Sequence, residues 1–336
     1  MSMRKLLCSV AALFLIQVIL VAKTPNPLTI EKIADKIYVI KGADSNSTAL
    51  ITDNGVLVVD FGNLPSMGNY IIDIVRTVTK QPITDIILTH YHEDHVSGLS
   101  ALPSTIRIIG HENIKRSFES ISFPQWKDLA EVKYPDYVAK ERIQVEELRK
   151  QKSPDLKKAE DELNADLIFL EDYKKVQFIN PTIEYSDKMA ITFGGESIII
   201  QHYGPAHSMT DSIVFFPRQK ILCSGDLIFN EAFPYVDKKS GANTANWIIA
   251  LMALYLNYDC VKVVPGHGPV GDHEIIENQR RLLTDLRMEV KTVYAQGKTL
   301  AEAKDLITMN AYRNMQWFAN LNRAIEAVYA ELEGSK

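Results

Sequence analysis

Residues 90–95 read His90-Tyr91-His92-Glu93-Asp94-His95, and four of these six side chains (His90, His92, Asp94 and His95) suit a divalent metal. They follow Ile86-Ile87-Leu88-Thr89, a short apolar run that reads as a buried strand. The potential ligands therefore lie on a loop leaving a strand end. More candidates recur downstream: His207 in Gly204-Pro205-Ala206-His207, Asp226 in Ser224-Gly225-Asp226, and His267 in Pro265-Gly266-His267-Gly268. Each again follows an apolar, β-rich run. Five of the eight histidines in the chain belong to this set, so isolated surface histidines do not explain the pattern.

The residue types specify a chemistry. Two histidines separated by one residue can face one ion, and neutral imidazole suits zinc at about 2.0–2.1 Å. His207 completes a first set with His90 and His92. Asp94 and His95 would point the other way and join His267 around a second ion. Asp226 then has the place of a carboxylate shared by both. Two ions about 3.5–4 Å apart hold a bridging water and make it hydroxide near neutral pH. The expectation is metal-assisted hydrolysis with two zinc ions per chain, and with Asp94 and Asp226 in catalytic roles. Asp60 ends an apolar run and is expected to orient a ligand histidine, as is Asp211 beside His207. His111 has a choice between facing substrate and a structural place, and the structural place is favoured. His202 and His273 read as structural.

Along the chain, strand-like runs at 36–40, 48–51 and 56–60 are separated by Gly, Asn and Asp turns. A helical pattern covers 67–79, a short helix 96–102, and a strand 106–109. From 113 to 188 the sequence turns helical, charged and poor in glycine, which reads as an inserted helical subdomain. Its aromatic residues either pack the helices onto the domain or wall the site. Strands are expected again at 189–193, 196–202, 212–216 and 220–223, then a helix at 245–255 and a strand at 261–264. The last third is helical, at 273–296, 299–307 and 311–330.

Composition bounds the rest. At 336 residues, 46% hydrophobic and 24% charged, this is an ordinary globular chain. A net charge of −5 and a pI near 5.9 argue against a nucleic-acid backbone as partner. Residues 1–22 read as a secretory signal: Arg4-Lys5, an apolar stretch, then Ala22 before a Pro-bearing segment. The expected location is periplasmic or secreted, with no stable membrane partner after cleavage; an uncleaved anchor is the alternative. Cys223 and Cys260 sit in apolar runs and read as core residues.

The set HYHEDH at 90–95, GPAH at 204–207, SGD at 224–226 and PGHG at 265–268, with VVDFG at 58–62, resembles the metallo-β-lactamase superfamily. The resemblance implies an α/β fold, an αββα sandwich carrying metals at one edge of paired sheets. Here it would span residues 28–290, with 113–188 inserted and 291–336 as a C-terminal helical extension. It also implies zinc and hydrolysis. Some true metallo-β-lactamases carry Cys where this chain has Asp226. Asp there resembles glyoxalase II-like, lactonase-like and ribonuclease Z-like members, and residues 229–254 look like exported members grouped with sulfur-oxidation and quinoprotein-associated metallohydrolases. Flavodiiron relatives prefer Glu at the place of His92. The leading expectation is an exported hydrolase of a small-molecule ester, lactone, thioester or amide. A β-lactamase and a mononuclear iron, persulfide dioxygenase-like enzyme are the alternatives. A nuclease and a non-catalytic binding module fit less well.

Overall fold

The computed structural model describes residues 28–334, so the expected signal at residues 1–22 lies outside the described residues. Strands β1 (Thr29–Ala34), β2 (Ile37–Ala43), β3 (Ser45–Thr52) and β4 (Gly55–Val59) form an antiparallel meander. Strands β5 (Ile83–Ile87), β6 (Arg107–His111) and β7 (Ile183–Tyr185) then add in parallel, so all seven lie in chain order. A second sheet holds β8 (Lys188–Phe193), β9 (Glu196–His202), β10 (Ser212–Phe216), β11 (Ile221–Phe229) and β12 (Lys262–His267). Its order is β12-β11-β10-β9-β8, and only β11 and β12 pair in parallel.

The parallel strands are covered on both faces, which is why β4 and β11 are buried along their whole length; β4 reads as an unbroken apolar run, and β11 is apolar except at Ser224-Gly225-Asp226. Val39, Leu57, Val59 and Ile87 of the first sheet meet Ile198, Ile200, Val214 and Phe216 of the second. On its other face the first sheet packs Val56, Val58, Ile86 and Ile108 against the helix Pro65–Arg76 and the helices between β6 and β7. The second sheet packs Ile213, Phe215, Leu222 and Val263 against the helices Thr244–Asn257, Glu274–Ala295 and Leu321–Gly334. The result is the expected αββα sandwich.

Three hydrogen bonds tie the sheets together where the strands of the site end. The Asn46 side-chain amide donates to the carbonyls of Pro265 and Gly268, both at 2.9 Å. The Ser212 N–H donates to the Thr89 carbonyl at 2.8 Å.

Three readings of the sequence differ from the structure. β7 lies within the stretch 113–188 that reads as helical; at three residues it is too short to show a period. β1 has no counterpart in the sequence reading, because Glu31 and Lys32 interrupt an apolar pattern on an edge strand. The expected helix at 311–330 begins at Leu321. Before it, Met309 (φ 41°) and Trp317 (φ 58°) take left-handed backbones between short 3-10 turns. Neither residue is Gly or Asn, so nothing local announces the break. Cys223 and Cys260 are buried and unbridged.

The helix Pro65–Arg76 crosses the 3-10 turn Ser97–Ala101 that follows the histidine motif, and glycine sets the separation. A Cβ on Gly98 would lie 1.8 Å from the Phe61 carbonyl oxygen, and one on Gly68 would lie 2.1 Å from the Gly98 carbonyl oxygen. Both obstacles are backbone, so neither can swing aside. Gly98→Ala is expected to destabilise the protein by about 3 kcal/mol, the upper end for overpacking. A fall in the urea midpoint at unchanged m-value checks this, and an unchanged midpoint would show that the turn has slack.

Candidate metal centre

Each candidate side chain sits just past or near the end of a strand. Asp60 follows β4, His90 and His92 follow β5, and His207 follows β9; Asp226 lies within β11 and His267 closes β12. Asp94 and His95 belong to the one-turn helix Glu93–Val96. The structure brings all seven candidate ligands together as two groups sharing Asp226. One is His90, His92, His207 and Asp226; the other is Asp94, His95, His267 and Asp226. Within each group the ligand atoms all lie within 4.8 Å of one another.

Asp226 splits its two oxygens between the groups. Its Oδ2 is 3.9 Å from His90 Nε2 and 3.3 Å from His207 Nε2. Its Oδ1 is 3.1 Å from His95 Nε2 and 3.4 Å from His267 Nε2. The carboxylate needs a bare glycine beside it: a Cβ on Gly266 would stand 1.9 Å from Oδ1.

The second nitrogen of every imidazole is held by a different partner. His207 Nδ1 donates to the Tyr235 carbonyl at 2.9 Å, and His267 Nδ1 to the Asp44 carbonyl at 3.2 Å. His95 Nδ1 donates to Asp60 Oδ2 at 2.7 Å. The Thr89 hydroxyl also donates to Asp60 Oδ2, at 2.7 Å, which leaves its lone pairs for His90 Nδ1 at 3.1 Å. His92 Nε2 pairs with Ser240 Oγ at 3.0 Å, so its Nδ1 is the atom that faces His207 Nε2, 2.9 Å away. These bonds fix tautomers and aim one nitrogen of each ring inward.

The inward atoms suit a cation. His90 Nε2, His95 Nε2 and Asp226 Oδ1 are buried and make no hydrogen bond among the described residues. Leaving such atoms unpaired costs about 1–3 kcal/mol each, and a divalent ion would satisfy them together. A mixed set of imidazole nitrogen and carboxylate oxygen is what zinc accepts.

The two groups differ electrostatically. Burial, reinforced by neighbouring histidines, holds His90 well below its ordinary range and pushes His92 down to about 3. Those rings are neutral and present lone pairs. Around the other group, burial acts to lower His95 and His267 but the carboxylates outweigh it. The charges of Asp94, Asp226 and Asp60 hold His95 well above its ordinary range, while Asp226 and Asp94 raise His267 to about 10. Burial likewise acts to raise Asp94 and Asp226, but His95 and His267 keep both well below the usual carboxylate range.

The remaining sequence candidates fall into place around this core. Asp211 accepts from the N–H groups of Ala206 and Ser208 and from the Ser208 hydroxyl, fastening the loop that carries His207. His111 is buried, accepts at Nδ1 from the Asn113 N–H, and packs on His202 at 4.1 Å between ring centroids. His202 Nδ1 donates to the Asp211 carbonyl, and His273 stacks on Tyr255. Of the aromatic residues between β6 and β7, Phe118, Tyr134, Phe169 and Tyr173 are buried in the helix–sheet core. Tyr173 also reaches the histidine loop, donating to Glu93 Oε2 at 2.7 Å.

Sequence reasoning missed Asp44, Ser240 and Trp317. Asp44 sits in a turn between strands, Ser240 in a long irregular stretch, and Trp317 where a helical pattern hides it. Trp317 packs edge-on against the His267 ring at 4.9 Å.

The sequence profile of the metallo-β-lactamase superfamily matches residues 40–297. The chain belongs to this superfamily. Among curated relatives, a type 2 metallo-β-lactamase of Bacillus cereus is 22% identical over 240 residues, covering 71% of this chain and 73% of its own. A linear primary-alkylsulfatase of Pseudomonas sp. is 23% identical over 243 residues, 69% of this chain and 43% of its own. This chain thus spans less than half of that sulfatase. Solved structures agree on the fold. The inverting sec-alkylsulfatase Pisa1 of Pseudomonas sp. superposes with a TM-score of 0.67 at 14% identity, over 92% of this chain and 51% of that one. A metallo-β-lactamase of Pontibacter korlensis gives 0.55 at 18% identity, over 76% and 99%.

Asp60→Ala strands three donors at once: the Thr89 N–H, the Thr89 hydroxyl and His95 Nδ1. It is expected to lower stability of the metal-free protein by about 3 kcal/mol and metal affinity by about 10–100-fold. Urea denaturation and competition with a chelator measure the two effects, and unchanged metal affinity would deny Asp60 its orienting role.

Proposed function

We propose that this chain is a dinuclear zinc hydrolase cleaving a small ester, lactone, thioester or amide at its carbonyl. One observation carries the reading: the two oxygens of Asp226 face separate three-residue ligand sets. His90, His92 and His207 would hold one ion, Asp94, His95 and His267 the other, and Asp226 would join them. When bound, such a pair of ions supplies an activated water near neutral pH and a Lewis acid for the carbonyl oxygen.

The protein's own contribution is position and proton handling. The imidazoles are locked by partners on five different segments, so the site is formed before substrate arrives. The core beneath is closed to water, with His90 and His95 fully buried. Asp94 is different: its side chain is 26% exposed, so the site opens to solvent on that side. Asp94 is thereby placed to pass a proton between the leaving group and water.

The relatives suggest a second reading on the same site, in which the electrophile is a β-lactam amide or a sulfate ester. A yeast alkyl/aryl-sulfatase, BDS1, aligns over 90% of this chain, against 71% for the Bacillus cereus β-lactamase. A panel of lactones, thioesters, carboxyl esters, β-lactams and alkyl sulfates separates the two readings. We also propose that the protein is exported. Arg4-Lys5, the apolar stretch that follows and Ala22 support this reading. Export predicts a mature N-terminus near Lys23, and N-terminal sequencing that still finds Met1 would indicate an anchor.

Metal analysis of replete protein is expected to find two zinc ions per chain. Asp226→Ala should lose one of them and lower turnover by more than about 100-fold, the upper end for partners one step further from the metal. One iron and no zinc in the wild type would overturn the reading, as would full stoichiometry and turnover in the variant.

A further inference from the structure

We infer that Trp317 is a substrate-facing wall of the metal cleft, and that the substrate presents a linear alkyl or aryl group to it. The inference rests on the hydrolase reading in placing substrate beside His267. It goes further by naming the apolar part of that substrate and the residue that selects it.

The geometry starts at His267. Its Nε2 lies 3.0 Å from Asp94 Oδ2, on the side where the site opens. The face of its ring is covered by Phe229, nearly parallel at 5.2 Å, and its flank by the Trp317 indole at 4.9 Å. Phe229 is buried whereas Trp317 is half-buried, so part of the indole remains at the surface beside the opening. The other two tryptophans contrast with it. Trp126 and Trp247 each donate the indole N–H to a backbone carbonyl, at 2.9 Å in both cases. The Trp317 N–H meets no acceptor among the described residues.

The backbone reinforces the point. Trp317 has φ 58° and ψ 22°, a left-handed conformation that a bulky side chain adopts at a cost. Neighbouring bonds hold it there. Gln316 N–H donates to the Glu231 carbonyl at 3.0 Å, and the Gln316 carbonyl accepts from Phe233 N–H at 2.7 Å. Phe318 packs edge-on against the fully buried Phe233 at 5.5 Å. This lacing joins the segment before the last helix to the loop that leaves β11 after Asp226. Trp317 lies beyond residue 297, where the match to the superfamily ends. The indole therefore lies outside the part of the chain that the superfamily profile describes.

The test compares Trp317→Ala and Trp317→Phe with wild type as zinc-loaded full-length protein. Binding of acetate and of octanoate is measured by calorimetry, and hydrolysis of the corresponding p-nitrophenyl esters is followed alongside. Each methylene buried against the wall is worth about fourfold in affinity. Wild type should bind octanoate at least about 100-fold more tightly than acetate. Trp317→Ala should shrink that ratio at least about tenfold with acetate binding and zinc content unchanged, and Trp317→Phe should shrink it by only about threefold. Should the alanine variant fail to fold, Trp317→Phe against wild type still reads the ratio, which should fall by about threefold. An unchanged ratio, a wild type with no preference for octanoate, or an equal loss for both acids would overturn the inference. Trp317-dependent octanoate binding without hydrolysis of any panel substrate would sustain this inference and defeat the hydrolase reading. Ester hydrolysis indifferent to Trp317 would do the reverse.

Discussion

The Asp60 carboxylate is the interaction on which the rest of this site depends. It accepts from the main chain and hydroxyl of Thr89 and from His95 Nδ1, and through that hydroxyl it also reaches His90. One buried side chain thus sets one histidine in each ligand group. It does so from a left-handed backbone, φ 57°, at the end of β4. That conformation costs on the order of 1–3 kcal/mol in a residue other than glycine. Three hydrogen bonds to a charged acceptor, at about 1.5–3 kcal/mol each, outweigh it. The strain is therefore retained because the carboxylate is fully engaged.

The two ligand groups are built on different electrostatic terms although they share Asp226. Around His90, His92 and His207 the rings crowd one another, and burial keeps His90 and His92 neutral. Around His95 and His267, two carboxylates favour protonated rings. A cation entering the first group meets free lone pairs; one entering the second must displace protons. The two groups therefore differ in charge in the metal-free protein.

Much of this was legible in the residues. β9 and β10 appear where the apolar patterns at 196–202 and 212–216 place them: β10 is buried throughout, and β9 keeps the apolar centre Ile198-Ile199-Ile200. The seven candidate ligands were legible for a related reason: each lies at or close to a strand end, beside turn residues that stand out from the apolar background. What was hidden shares a different cause. β7 is held by pairing with β6, a contact remote in sequence. Asp44 contributes a backbone carbonyl to His267, and a carbonyl carries no sequence signature. Trp317 sits in a stretch with helical spacing whose backbone is overridden by bonds to Glu231 and Phe233. Tertiary hydrogen bonds, not local preference, decide each of these.

The lacing of Gln316 to the loop after β11 also has a consequence in time. The ligand-bearing strands are all made by His267, whereas the indole beside them belongs to a segment synthesised later. A chain emerging in order from its N-terminus can assemble both ligand groups while the cleft still lacks that side. The join between residues 231–233 and 316 then supplies that side. On the proposed reading of Trp317, selection of substrate is then the last property acquired during folding, after both candidate ligand groups are in place.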